Sequence, residues 1–267
     1  MRKLLFILVI IITNIFYAQD LNHWDFENSL KNKDTIKKKI AFLIANSNYQ
    51  NNSLDLKNPL NDVKKISEPL EKLGFDILFK KQVTLKEIQK IIVEFKDSIV
   101  NYDFGLFYYA GHGFDDNNGN PYILPVNIKE LTSNDNNYEP ISRMVNYFGS
   151  SRKKCLIIID ACRNNGNNGI NKPNNIKHPR DVKLWYSTSS GKTANDEEFI
   201  IDNKKYGCTL YAYALYYYLT KASESDLTIQ NIFNNIYTAV SKITENTDRE
   251  QWPSEFFGQE LNNILLK

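Results

Sequence analysis

The chain lacks a surplus of charge of either sign: 33 basic and 31 acidic side chains leave a formal net charge of +2. A protein whose main partner is a polyanion carries a basic excess, so nucleic acid is excluded as the principal ligand. Cysteine is scarce. Only Cys155, Cys162 and Cys208 are present, so no thiol near the N-terminus is available to carry a lipid. Long hydrophobic runs are missing too: the apolar stretch at 4–18 is interrupted by Thr13 and Asn14 and falls short of the roughly 18 residues that read as a membrane span. No internal repeat is apparent.

What is present at the N-terminus reads as an address. Arg2 and Lys3 precede the apolar run, and Ala18 offers a small residue for cleavage, the pattern of a secretory signal peptide over 1–18. The expectation is an exported protein, periplasmic or extracellular, with no stable membrane insertion once the signal is removed. Residues 19–39 read as a polar linker arm ending in Lys37, Lys38 and Lys39. Residues 40–267 then form one domain, long enough to bury a full core. An odd number of cysteines in an exported chain leaves at least one thiol unpaired within it, or paired outside.

The strand candidates are short continuous apolar runs at 40–45, 75–79, 104–109, 155–159, 184–188 and 263–266. Continuous runs suit a sheet covered on both faces. Helical spacing lies between them. Leu60, Val63, Ile66, Leu70 and Leu73 mark one helix, with Pro69 expected to kink it. Thr84 and Glu87 make a capping box before a second, an aromatic-rich helix runs over 211–219, and Thr228 opens another. Strand alternating with helix predicts an α/β fold with a mostly parallel sheet, whose ligands sit at the carboxyl ends of the strands. The Asn- and Gly-rich stretch 163–180 reads as a flexible loop.

Two strands end in reactive groups: the run at 104–109 leads to His112 and the run at 155–159 to Cys162. His23 falls in the arm and His178 in the loop, while Cys155 and Cys208 read as core residues or a disulfide pair. If the two strands are parallel neighbours, the thiol and the imidazole meet at one rim. A Cys–His pair makes a nucleophile near neutral pH, since the imidazole takes the thiol proton and later protonates the leaving group. Gly113 lets the backbone approach a substrate, and its N–H with that of Cys162 would hold the oxyanion.

The segments "FYYAGHG" and "IIIDACR" resemble the caspase fold in its metacaspase and bacterial caspase-like form. The resemblance extends to "IAFLIANSNY", "NPLNDVKKISEPLEKLGFDI" and "LWYSTSSGKTAND", nearly the whole domain. The interval of 50 residues from His112 to Cys162 agrees with the caspase signature. The resemblance implies a three-layer caspase-like fold, a six-stranded sheet with helices on both faces, and a cysteine endopeptidase with His112 and Cys162 as its dyad.

Two departures bear on specificity. Asp160 stands where caspases carry a Gln, and Asp196 falls where they place the arginine that grips a substrate aspartate. Charge complementarity then predicts a protein or peptide substrate with Arg or Lys before the cleaved bond, as in metacaspases. Breaking a buried charge pair costs about 2–5 kcal/mol, against about 1–3 for a methylene misfit, so charge decides. Asn164 replaces the signature's Gly. The loop at 163–180, with Lys172, Lys177 and Arg180, is a candidate for self-cleavage. No cofactor is implied. Calcium activation occurs among the relatives, but no carboxylate run has calcium-loop spacing, "FDDNNGN" reads as a turn, and no metal ligand is assigned. A catalytically silent caspase-like binding module and a dyad acting on a small amide fit the same residues. Expressed in an export-competent host, the chain should leave the cytoplasm with Gln19 as its first residue; N-terminal sequencing that finds Met1 on the exported protein would refute the signal peptide.

Overall fold

A continuous apolar run is stable as a strand only when helices cover both faces of its sheet, and the computed structural model has that arrangement. It describes residues 36–116, 118–129, 135–163, 179–189, 194, 196–201 and 203–267. The signal peptide and most of the arm, His23 and His178, Asn164, and the basic residues Lys172 and Lys177 lie outside the described residues. In chain order the elements are β1 (Lys39–Ala45), α1 (Pro59–Lys72), β2 (Phe75–Lys81), α2 (Leu85–Ile99) and β3 (Phe104–Ala110). Short strands β4 (Gly113–Asp115), β5 (Pro121–Ile123) and β6 (Glu139–Pro140) follow, then α3 (Ile141–Gly149), β7 (Lys154–Asp160) and β8 (Val182–Tyr186). The last elements are β9 (Ile200–Ile201), β10 (Lys204–Lys205), α4 (Leu210–Glu224), α5 (Ile229–Thr244) and β11 (Ser254–Phe256).

The main sheet has six strands in the order β11-β8-β7-β3-β1-β2. All its pairs are parallel except β8 with β11. Successive residues of each central strand enter opposite cores. Leu106 and Tyr108 of β3 join the core under α1, α4 and α5, whereas Phe107 and Tyr109 join the one under α2 and α3. The expected capping box is made at Thr84 with Glu87, and Thr228, expected to open a helix, makes a second one with Asn231. Helix α1 runs through Pro69 without ending.

Three boundaries differ from expectation. The sixth strand is Ser254–Phe256, not 263–266: Leu261, Ile264 and Leu266 are buried in the α1/α4/α5 core, and Leu265 makes a single bridge to Thr228. The half-buried "SEF" gives no apolar signal. Strand β8 starts two residues earlier than expected because its second residue is a buried Lys183, paired with Glu255 of β11 at 2.7 Å. The folded unit also begins at Ile36 rather than Ile40. Lys39 is buried with its ammonium donating to the Leu266 carbonyl at 2.8 Å, and Asp103 accepts the N–H groups of Lys37 and Lys38. Cys155 and Cys208 are both unpaired, in the two cores on opposite faces of the sheet.

Candidate active site

Strands β3 and β7 are parallel neighbours, with Ala110 opposite Asp160 in the register. Two residues further along each chain bring His112 and Cys162 off the same rim, and both line a cleft of about 1060 Å³. The glycines flanking His112 answer to packing. A Cβ on Gly111 would lie 2.5 Å from the Tyr109 phenol oxygen and 2.9 Å from that of Tyr49. On Gly113 it would lie 2.9 Å from Ala161 Cβ and 3.0 Å from the Cys162 and Tyr122 carbonyl oxygens. The histidine segment therefore rests directly on the cysteine segment. Leu124 N–H donates to the His112 carbonyl at 3.0 Å, which makes Gly113 and Ile123 a non-hydrogen-bonded pair. In such a pair the Gly113 N–H points away from β5.

The backbone of His112 is held from both ends. Its N–H donates to the Tyr49 hydroxyl at 2.8 Å, and its carbonyl accepts from the Tyr109 hydroxyl at 2.9 Å. The Tyr49 ring packs against the imidazole with centroids 5.0 Å apart. His112 Nε2 sits 2.7 Å from the Leu54 carbonyl. A carbonyl only accepts, so Nε2 carries the proton and Nδ1 keeps its lone pair. Leu54 belongs to a 3-10 turn, Asn52–Leu54; a backbone oxygen in a loop leaves no signal in the sequence.

The thiol of Cys162 donates to the Ala194 carbonyl at 3.5 Å. Burial pushes this thiol up from its ordinary pKa, and the nearby Asp160 and Asp196 charges push the same way. Burial also pushes the His112 imidazolium down, against the opposing effects of the Leu54 bond and the Asp196 charge. Both shifts favour the uncharged forms. The forms favoured at rest are therefore the thiol and the neutral imidazole.

Asp160 ends β7 as a buried carboxylate that accepts from the Tyr108 hydroxyl at 2.9 Å. Sequence reasoning passed over its neighbour Asp62, which is 2% exposed in the first turn of α1 and accepts the Thr209 N–H at 2.7 Å. The available signal was its spacing: Asp62 shares the inward helix face with Ile66, four residues on. Asp196 caps the same helix from outside, accepting the N–H groups of Lys57 and Asn58 at 2.9 and 3.2 Å. Asp62, Asp160 and Asp196 together line a recess of about 30 Å³ that adjoins His112 and Cys162. Burial raises all three carboxyls above the ordinary range, Asp160 to about 6; the Asp160 and Asp196 charges push Asp62 further up, and the Asp196 charge does the same to Asp160.

Among the described residues no group of three His, Cys, Asp or Glu side chains is placed to hold a metal ion. Asp116 instead accepts the N–H groups of Asn118 and Asn120 in the turn after β4. No helix among the described residues is long and apolar enough to cross a membrane.

The family profile described as a caspase domain matches residues 38–260. The chain belongs to the caspase-domain family. It is 35% identical over 107 residues to the human "Mucosa-associated lymphoid tissue lymphoma translocation protein 1", covering 40% of this chain and 13% of that protein. The mouse homologue is 37% identical over 90 residues, covering 34% of this chain and 11% of that protein. The crystal structure of Caspase-1 from Spodoptera frugiperda superposes with a TM-score of 0.64 at 17% identity, over 85% of this chain and 88% of that one. The expected α/β caspase-like fold, with its mostly parallel six-stranded sheet, is the observed one.

In this caspase domain the carboxyls of Asp62, Asp160 and Asp196 bind protons more tightly folded than unfolded. The stability they add is therefore present at acid pH and is lost as pH rises through the folded value, about 6 for Asp160. Asp62→Asn keeps an oxygen for the Thr209 N–H and removes the charge, so it should raise Tm at about pH 7.5, by the equivalent of about 1–3 kcal/mol. Calorimetry at about pH 7.5 and 5.5 checks it; a variant that melts below wild type at the higher pH would refute the cost assigned to this carboxylate.

Proposed function

We propose that this caspase domain is an exported cysteine endopeptidase that cleaves after arginine or lysine. The observation that carries it is the opening of His112, Cys162 and a recess of three buried carboxylates onto one cleft. His112 Nδ1 takes the Cys162 proton as the sulfur attacks the scissile carbonyl carbon. The oxyanion that forms accepts from the N–H groups of Gly113 and Cys162. As the tetrahedral adduct collapses, the C–N bond breaks and the imidazolium gives its proton to the leaving amine, leaving a thioester. Water then attacks the thioester with His112 as base, and the acid product departs as the proton returns to sulfur. Both attacks, by the sulfur and by water, start from the neutral imidazole favoured by the burial of His112.

Specificity follows from charge. A cationic side chain entering the recess lets Asp62, Asp160 and Asp196 ionise against a partner, whereas a substrate carboxylate meets three acids. At about 30 Å³ the recess in its present form admits a water-sized group, so a guanidinium has to part its walls. Export stays within the proposal, resting on Arg2, Lys3 and the apolar run ending at Ala18.

Fluorogenic peptides that differ only in the residue before the bond test the reading. Arg and Lys peptides should be cleaved, the citrulline isostere at least about 30-fold more slowly, the Asp peptide not at all, and Cys162→Ala should abolish the activity. No Cys162-dependent cleavage of any peptide would sink the peptidase, and preference for Asp would sink the pocket. A second expectation concerns pH. For the Arg peptide kcat/KM should fall as pH drops through about 6, where Asp160 takes up its proton. The citrulline peptide should lack that limb and retain only the one set by His112. Superimposable profiles for the two peptides would separate the buried carboxylates from substrate recognition.

A further inference from the structure

Arg163 follows Cys162 in the "DACR" segment and has no part in the chemistry above, yet it is 2% exposed. Its Nε donates to Asp115 Oδ1 at 3.1 Å and its Nη2 to Asp115 Oδ2 at 2.9 Å, a two-toothed pair whose side chains are 3% and 0% exposed. The guanidinium lies 4.2 Å above the centroid of the Tyr186 ring. Asp115 is the last residue of β4, two beyond Gly113, and Tyr186 is the last of β8. The pair thus ties the strand that leaves the histidine to the residue that follows the cysteine, over the end of the neighbouring strand.

Stability does not account for such a pair, because apolar residues of similar volume in place of a buried ion pair are often neutral or stabilising. Its geometry does more. A guanidinium held by both nitrogens and stacked on a ring has one allowed position, which a lysine could not reproduce. On one clamped segment is Gly113 and on the other Cys162, the two residues whose N–H groups face the oxyanion in the proposed reaction. Gly113 already lies against the Cys162 carbonyl, where an added Cβ would come within 3.0 Å.

We propose that Asp115 and Arg163, stacked on Tyr186, are the positioning residues of the oxyanion hole: their pair fixes the spacing between the Gly113 and Cys162 N–H groups. The inference rests on the peptidase reading and deepens it. An oxyanion hole acts through donors held in place before charge develops, so loosening the clamp weakens transition-state binding and leaves substrate binding alone.

The test compares wild type with Asp115→Leu/Arg163→Met, which removes both charges together, using an Arg fluorogenic peptide. The double variant should melt at or above the wild-type temperature and keep its KM, with kcat about 100-fold lower. Affinity for a peptide aldehyde ending in arginine, which adds the Cys162 sulfur to give a tetrahedral oxyanion, should fall by a similar factor. In a Cys162→Ala background, the affinity for the uncleaved peptide should not change. If the double variant fails to fold, Arg163→Lys must carry the same split of kcat from KM. Wild-type kcat in either folded variant, or losses equal in KM and in aldehyde affinity, overturns the positioning role while the peptidase reading stands. A wild-type protein with no Cys162-dependent cleavage overturns both.

Discussion

The in-register pairing of β3 with β7 is the constraint on which the site depends. Parallel strands place equivalent residues at one edge of the sheet, so Ala110 opposite Asp160 puts His112 and Cys162 at the same rim. A slip of one residue would turn Tyr108 and Tyr109 to the wrong cores. The register is protected on both faces, because β3 and β7 are buried almost from end to end. Stability and chemistry thus share one cause. The aromatic residues that fill the two cores also have hydroxyls that reach the rim, Tyr108 to Asp160 on one face and Tyr109 to His112 on the other.

Against that rigid frame, the recess beside the dyad holds groups that a purely structural site would not keep. Three carboxyls sit in a space that raises the pKa of each. Their oxygens are partly satisfied, by the Tyr108 hydroxyl and by the N–H groups of Thr209, Lys57 and Asn58. Under the proposed reading these carboxyls ionise fully only against a cationic side chain, and functional sites retain that kind of local cost.

Much of this was legible in the sequence, for identifiable reasons. The strands buried on both faces announced themselves as continuous apolar runs, and their ends located His112 and Cys162. The Thr84–Glu87 capping box was readable because it uses side chains at fixed spacing. What could not be read acts through the backbone or contradicts the apolar pattern. The Leu54 carbonyl that sets the imidazole tautomer has no side-chain signature. Lys183 hid the start of β8, and β11 escaped notice because an edge strand with Glu255 in its middle, paired with Lys183, breaks the continuous apolar run. Gly113 was read for its approach to a substrate and for its N–H, whereas its lack of a side chain is also required by Ala161 and Cys162. Asp62 fell inside an apolar stripe and was passed over in favour of its neighbours.

The dyad and the recess are electrostatically one system. Burial raises the pKa of the Cys162 thiol and the Asp160 and Asp196 charges push it further, so the negative charge proposed to attract the substrate adds to the suppression of the nucleophile. Under the proposed reading a cationic side chain removes that contradiction. Its charge offsets the carboxylates at the moment of binding, the thiol becomes a better acid, and proton transfer to His112 becomes easier with the scissile carbonyl already in place. An empty cleft then keeps a neutral, unreactive thiol, and a neutral side chain in the recess would leave it so. Selectivity for a basic residue therefore belongs in kcat as well as in KM, because the group that is recognised also readies the sulfur that attacks.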